Sequence, residues 1–184
     1  MLYTYGTTCF SIYNSNKTTT SDNSYINCEG HTIYALHGGI FADIYNTSGI
    51  KIENCYLKNF TDTVISSAKA TSVLNSTIAN SVNGIVLNGA DGSTINDVGI
   101  FNATDYAVYL NKSSDDAISN VNIRNSTTGI HFNATFSTLS GSSVYGSAFG
   151  IYCPASGSNG NSDQGGNSCS TTNCSWLTST SCKA

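Results

Sequence analysis

Charged residues are scarce in this sequence. Lys and Arg together number 7 and Asp and Glu number 11, so charged residues make up 10% of the 184 residues and the net charge is -4. An ordinary soluble domain carries about 25% charged residues. So few basic residues exclude a nucleic-acid-binding surface and a polybasic membrane anchor.

Long apolar runs, proline and good helix formers are also rare. No run of about 18 apolar residues is present, which argues against a membrane-spanning helix. The single Pro, the single Met and the small number of Lys and Glu argue against long helices. In their place, 28 Ser, 22 Thr, 22 Asn and 17 Gly make up almost half of the chain. The length suits one domain with a sizeable core.

Cysteine is the exception to this polar composition, with seven residues. They favour an oxidising compartment, and the spacing of the C-terminal group is unlike that of a zinc site. We therefore predict two bridges among the four C-terminal cysteines and one N-terminal bridge, with one thiol left over. The C-terminal four are Cys153, Cys169, Cys174 and Cys182, the N-terminal bridge joins Cys9 to Cys28, and Cys55 is the odd thiol.

Apolar residues recur at a period of about 22 residues between 24 and 153. Three columns share this period, and all their members but one are Ile, Leu or Val. The first column is Cys28, Ile52, Val73, Ile95, Ile118 and Leu139. The second is Ile33, Leu57, Ile78, Ile100, Ile123 and Val144. The third is Ile40, Val64, Ile85, Val108, Ile130 and Ile151.

This periodicity predicts a solenoid in which each repeat supplies three short strands. A single repeat cannot bury its apolar face, whereas stacking repeats at about 4.8 Å buries a continuous core and pairs each strand with its neighbours. The β-branched residues of the columns suit such strands. We predict an N-terminal cap over 1–23, the solenoid over 24–153 and a disulfide-tied tail over 154–184.

Two polar columns support this register. The first contains residues that tolerate the left-handed backbone of a sharp corner: Gly30, Asn54, Asn75, Asp97, Asn120 and Gly141. The second predicts an internal ladder of asparagine amides: Asn59, Asn80, Asn102 and Asn125.

The segment NSTIANSVNGIVLNGADGSTINDVGI resembles the right-handed parallel β-helix repeat family, which includes pectate lyases, polygalacturonases, phage tailspikes and microbial surface proteins. The resemblance covers residues 24–153 and implies an all-β chain of about six rungs. It leaves the function open, because unrelated functions occupy this fold.

A catalytic site is not evident. The enzymes of the family that this chain resembles cleave acidic polysaccharides. The patterns of catalytic residues that the resemblance implies are not found in this chain. The acidic loop residues Asp91, Asp115 and Asp116 are weak calcium candidates, and ordinary solvated turns are the competing interpretation. We expect no cofactor, no metal and no enzymatic activity.

An exposed stripe offers a stronger indication of function. If the third column points inward, the residues that follow it point outward: Phe41, Ile65, Val86, Tyr109, His131 and Tyr152. Small residues precede the column, and we expect them on the same outer face. An apolar stripe of this kind is seldom left exposed to water. Three partners could bury it, namely the C-terminal tail, a second subunit or a carbohydrate.

Asn-x-Ser/Thr sequences are frequent, and some of them are candidates for N-glycosylation. The best acceptors follow the third strand, at Asn46, Asn111 and Asn133, and the others are Asn16, Asn75 and Asn173.

Taken together, these features predict an extracellular or cell-surface structural protein that associates with copies of itself into a fibre or layer. The alternative is a module that binds or cleaves polysaccharide.

Overall fold

The computed structural model of the protein describes residues 2–4, 8–13, 24–154, 159–178 and 181–182. All regular structure in these residues is β-strand. Within the same residues, no helix is long and apolar enough to cross a membrane.

Most turns of the chain contribute three strand segments to a parallel β-helix. In chain order the strands are β1 (Leu2–Thr4), β2 (Thr8–Tyr13), β3 (Tyr25–Asn27), β4 (Thr32–Ala35), β5 (Ile40–Tyr45), β6 (Lys51–Glu53), β7 (Tyr56–Lys58), β8 (Asp62–Ser66), β9 (Ser72–Ala79), β10 (Asn83–Asn88), β11 (Thr94–Phe101), β12 (Tyr106–Ser114), β13 (Ala117–Ser119), β14 (Asn122–Arg124), β15 (Thr128–Thr135), β16 (Thr138–Ser140), β17 (Ser143–Tyr145), β18 (Phe149–Tyr152), β19 (Ser162–Asp163), β20 (Ser168–Cys169) and β21 (Ser181–Cys182).

The strands form two sheets, and every strand pairing is parallel. The larger sheet holds the first two strand stacks of the helix, because β9 and β11 run through the corner between them. The smaller sheet is the third stack, in the order β18, β15, β12, β10, β8, β5, β2. Strands β1 and β2 precede residue 24 and β19 to β21 follow residue 154, so the stack extends beyond the predicted limits of the solenoid.

The second apolar column has the predicted register throughout, since Ile33, Leu57 and Ile78 pair in succession. In the first turn, however, the other two columns are displaced by two residues. Ile26, not Cys28, pairs with Ile52, and Ala42, not Ile40, pairs with Val64. The corners before β4 and before β5 each hold two more residues than the same corners of the next turn. The sequence pattern does not reveal these extra residues, because Cys28 and Ile40 happen to stand at the regular spacing.

Residues with a left-handed backbone conformation form the corner between the first two stacks, as the sequence predicts. All six members of that polar column have positive φ, from 44° at Asn75 to 75° at Gly30. Asparagine, aspartate and glycine are the residues that adopt this conformation at least energetic cost.

Buried polar side chains connect successive turns at the corners, a feature that the apolar periodicity did not indicate. At one corner the backbone N–H of each residue donates to the side-chain oxygen of the residue one turn further along. This column consists of Thr71, Ser93, Asp116, Ser137 and Asn161, all of them buried. These bonds satisfy backbone groups where the strands are interrupted.

Three disulfides follow the stacking of turns. Cys153–Cys174 and Cys169–Cys182 are the two bridges expected in the tail. The N-terminal pairing was predicted wrongly, because Cys28 is bonded to Cys55 and Cys9 is free. Cys28 and Cys55 occupy the same corner of adjacent turns with their Cα atoms 4.8 Å apart, whereas Cys9 lies on β2 in the other sheet.

The C-terminal tail closes the end of the solenoid. Strands β19 and β20 pair with β16 and β17 and so continue the first two stacks. The indole of Trp176 packs edge-on against Phe132, with 4.9 Å between ring centroids, and its Nε1 donates to Sγ of Cys153 over 3.2 Å.

Candidate functional site

Five aromatic side chains lie together on the outer face of the third stack. We call Tyr106, Tyr109, His131, Phe149 and Tyr152 the aromatic patch. Strand register places them, since Tyr109, His131 and Tyr152 are direct neighbours on β12, β15 and β18. Tyr106 and Phe149 belong to a second column three residues earlier, with Thr128 between them.

The rings of the patch form a continuous contact surface. Tyr109 stacks on Tyr106 with centroids 4.8 Å apart, and its ring lies 4.8 Å from that of His131. His131 contacts Tyr152 edge-on at 5.0 Å, and Phe149 lies 6.1 Å from Tyr152. A groove of about 250 Å³ runs between four of these rings and Thr128. The patch is therefore a shallow concave surface with aromatic walls.

The two columns of the patch are separated on each strand by two consecutive buried residues, so the side chains do not simply alternate between inside and outside. Ala107 and Val108 are both fully buried between Tyr106 and Tyr109. The small residues that precede the third column therefore lie inside, and our prediction that they lie on the outer face was wrong. Packing explains their size, because a Cβ on Gly129 would lie 2.2 Å from Cγ1 of Val144 and 2.4 Å from the carbonyl oxygen of Gly150.

The predicted stripe needs a correction in its first half. Phe41 is fully buried, where it packs edge-on against Phe60, and Asp43 takes the outward position beside Ile65. Ile65 is half-buried and Val86 is only 9% exposed. The aromatic half of the stripe is thus the accessible part. Tyr106 and Phe149 were missed, although aromatic or hydroxyl residues at positions i and i+3 in three successive turns would have indicated them.

The described part of the tail does not cover the patch. Its strands continue the first two stacks, and Trp176 packs against Phe132. Thr172 pairs with Ile151, so the tail also runs beside Tyr152 at the end of the third stack, where it borders the patch but leaves its rings open. Phe149 remains 57% exposed, and the other four rings are half-buried.

A row of amides flanks the patch on the same face. The side chain of Asn111 donates to Oδ1 of Asn88 over 3.1 Å, and that of Asn133 donates to Oδ1 of Asn111 over 3.2 Å. All three residues are half-buried. The amides of Asn111 and Asn133 thus link neighbouring turns, and glycosylation of these two residues stays a prediction.

The predicted asparagine ladder lies on the outside of a corner, not in the interior. Asn80, Asn102 and Asn125 are exposed and Asn59 is half-buried, and all four have φ between 56° and 63°. The amide of Asn102 donates to Oδ1 of Asn80 over 3.0 Å. Their common backbone conformation accounts for the repeat of asparagine at this corner.

The remaining glycosylation candidates differ in accessibility. Asn46 and Asn75 are exposed. Asn173 is exposed as a residue, and its amide donates to the carbonyl of Cys153 and accepts from the N–H of that residue. Glycosylation at these three positions stays a prediction. Asn16 lies outside the described residues.

The acidic loop residues do not assemble a calcium site. Asp116 points inward and is 1% exposed, with Oδ1 accepting from the N–H of Ser93. Asp91 faces Lys69 at 3.9 Å, and Asp115 accepts from the hydroxyl of Ser114. Burial raises the pKa of Asp116 to about 6, and the charges of Asp91 and Asp115 act in the same direction.

Burial also shifts two groups in the aromatic patch. The pKa of His131 is lowered by desolvation, against an opposing effect of the Asp105 carboxylate. The pKa of Tyr106 is raised by desolvation first and then by the same carboxylate. Both side chains are therefore uncharged near neutral pH.

A comparison with protein families identifies the relatives of this chain. Residues 12–162 match the model of the family described as "Periplasmic copper-binding protein (NosD)", a span that includes most of the described strands. The chain belongs to the NosD family. No curated protein and no solved structure matches it. This membership and the three disulfides are features of an exported, non-cytoplasmic protein.

The described residues of this NosD-family chain do not fit a copper ion. Copper sites use histidine, cysteine or methionine side chains that converge on one point. In the described ranges, no three His, Cys, Asp or Glu side chains are grouped in that way. His31 bonds to the carbonyl of Cys28, and His131 lies among the tyrosines of the patch.

Proposed function

We propose that this protein is an exported, non-catalytic β-helix that binds a glycan chain through its aromatic patch. The observation that carries the proposal is the uncovered cluster of five rings on one face of the third stack. A contiguous exposed apolar surface usually marks a binding site, whereas single exposed apolar side chains are ordinary.

The chemistry of the patch suits a sugar polymer. The C–H faces of a pyranose ring are apolar and pack against aromatic rings, while its hydroxyl groups need hydrogen-bond partners. Tyr106, Tyr109 and Tyr152 offer both, since each has an apolar ring and a phenolic hydroxyl. The row of Asn88, Asn111 and Asn133 adds amide groups along the edge of the same surface.

Self-association into a surface fibre or layer is the second candidate, and the same patch favours it. Five rings of this size are enough to stabilise a contact between two copies, at about 1.5–3 kcal/mol for each fully buried side chain before association entropy is subtracted. Such a contact would be lateral, because Trp176 and the tail strands occupy the C-terminal end of the solenoid. Head-to-tail stacking would require that end to open.

One set of variants tests both candidates. Tyr109→Ala with Tyr152→Ala removes two rings of the patch, and Tyr56→Ala removes a ring that is 47% exposed on another face. Affinity electrophoresis through polysaccharide gels measures glycan binding, and sedimentation velocity at rising protein concentration measures self-association.

We expect the wild type and Tyr56→Ala to be retarded by at least one polysaccharide, and the double variant to migrate freely. A concentration-dependent oligomer that the double variant abolishes, without any retardation, would favour self-association. A reducing-end assay on the same polymers tests the absence of cleavage, and release of new ends would contradict the non-catalytic role.

A further inference from the structure

The outer face of the third stack carries one carboxylate beside the aromatic patch and two in earlier turns. Asp105 directly precedes Tyr106, is half-buried, and accepts through its backbone carbonyl from the N–H of Thr128 in the next turn over 2.8 Å, and its charge acts on both Tyr106 and His131. Further along the same face, Asp43 lies in the column of Ile65, and Asp62 lies in the column of Asn83, whose amide donates to it over 2.7 Å.

Cations in the described residues lie mostly elsewhere. Lys51 and Lys58 project from the larger sheet, where Lys51 pairs with Glu53 and Lys58 lies over the ring of Tyr34. Arg124 belongs to that sheet too. Among the described strands of the third stack, β12 alone carries a cation, Lys112, which sits at a bulge beyond Asn111.

His131 does not supply a charge to the patch near neutral pH. Its ring is enclosed by Tyr106, Tyr109 and Tyr152, and the charged group that acts on it is Asp105. Since desolvation outweighs Asp105 and lowers the pKa, the imidazole stays neutral and offers one donor and one acceptor.

We infer that the aromatic patch selects uncharged glycans and rejects polymers that carry carboxylate or sulfate groups, with Asp105 as the specificity-determining residue. The inference rests on the proposed function. An acidic sugar on these rings would lose the hydration of its charge, find no cation within the patch and approach the carboxylate of Asp105. A neutral sugar loses only hydroxyl hydration, which tyrosine hydroxyls and amides replace.

The test uses pairs of polymers that share a backbone and differ in whether the substituent is charged, namely hydroxyethyl against carboxymethyl cellulose and methyl-esterified against de-esterified polygalacturonan. A wider panel of neutral xylan, mannan and galactan is run beside alginate. Dissociation constants come from affinity electrophoresis at low ionic strength near pH 7. We expect the neutral member of a bound pair to bind more tightly by at least about tenfold.

Two variants probe Asp105. Asp105→Lys should bring the ratio within a pair close to one or invert it. The matched control Asp97→Asn removes an exposed carboxylate at a corner of the larger sheet, and its ratio should equal that of the wild type. An unchanged ratio in Asp105→Lys would overturn the assignment of Asp105.

The outcomes separate the inference from the proposed function. If the charged member binds as tightly as the neutral one, selection against charge is refuted while glycan binding stands. If no polymer of either kind binds, both fail. Once acidification protonates His131, the wild type should lose part of its preference, whereas His131→Gln should keep it.

Discussion

Replacing Asp116 with asparagine tests whether the interior of the solenoid holds this carboxyl in its neutral form. Asp116 lies in the buried polar column, and its Oδ1 accepts from the N–H of Ser93. Its Oδ2 and the hydroxyl of Ser113 are both buried with no partner at hydrogen-bond distance. Ser113 and the N–H of Ser93 act to lower the pKa of Asp116, but desolvation by burial outweighs them. An ionised carboxylate with one unsatisfied buried oxygen is costly, which is why the pKa rises.

The magnitude follows from the shift. A rise of the pKa from 3.8 to about 6 corresponds to about 3 kcal/mol, because each pKa unit is worth about 1.4 kcal/mol. The folded chain holds the proton up to about pH 6, whereas the unfolded chain releases it near pH 3.8. The free energy of unfolding therefore falls as the pH rises from about 3.8 to about 6. At neutral pH the folded protein bears the whole cost of about 3 kcal/mol for burying the ionised carboxylate.

Asparagine fits the position because the same column already contains one. Asn161 accepts from the N–H of Ser137 through Oδ1 and donates to the carbonyl of Ala134 through Nδ2. We expect Asp116→Asn to raise the free energy of unfolding by up to about 3 kcal/mol near pH 7 and by almost nothing near pH 4. Urea denaturation of both proteins with the disulfides intact gives the difference at each pH.

The exposed carboxylate of Asp97 provides the control. Asp97→Asn should change stability by less than about 0.5 kcal/mol at both pH values, since asparagine occupies the equivalent corner in the adjacent turns. The reasoning about Asp116 would be refuted if Asp116→Asn changed stability by the same amount at both pH values, or if it destabilised the protein near pH 7.

Three further predictions concern packing and cross-links. Gly129→Ala should destabilise the protein by at least about 1–3 kcal/mol in urea denaturation, because its Cβ would meet a backbone carbonyl; Gly92→Asn, at a left-handed position with open space around it, should cost well under about 1 kcal/mol. Cys28→Ser with Cys55→Ser should cost about 3 kcal/mol, and peptide mapping of the wild type without reduction should recover these two cysteines linked, with Cys9 as a free thiol; a Cys9–Cys28 peptide would contradict the observed pairing. Trp176→Ala should make the tail sensitive to protease while glycan binding persists, and loss of glycan binding would place the tail in the binding site.

The sequence by itself determined the architecture, and the reason is the physics of stacking. Each turn needs inward apolar side chains at nearly constant spacing, so the column of Ile33, Leu57 and Ile78 has one register in sequence and in space. The corners on either side of the second stack need left-handed backbone, which restricts them to glycine, asparagine and aspartate over several turns. Both constraints act within a single repeat, and each recurs in the sequence once per turn over about six turns.

Tertiary structure decided what local spacing leaves open. The two extra residues at the corner before β5 moved Phe41 inside and put Asp43 on the surface, and no local pattern distinguishes these alternatives. Disulfide pairing depends on which corners lie one above another, so Cys28 bonds to Cys55 in the next turn and not to Cys9 on the opposite sheet. The aromatic patch exists because two buried residues separate Tyr106 from Tyr109 and register then aligns three turns, a coincidence of chain path and stacking that only the folded chain contains.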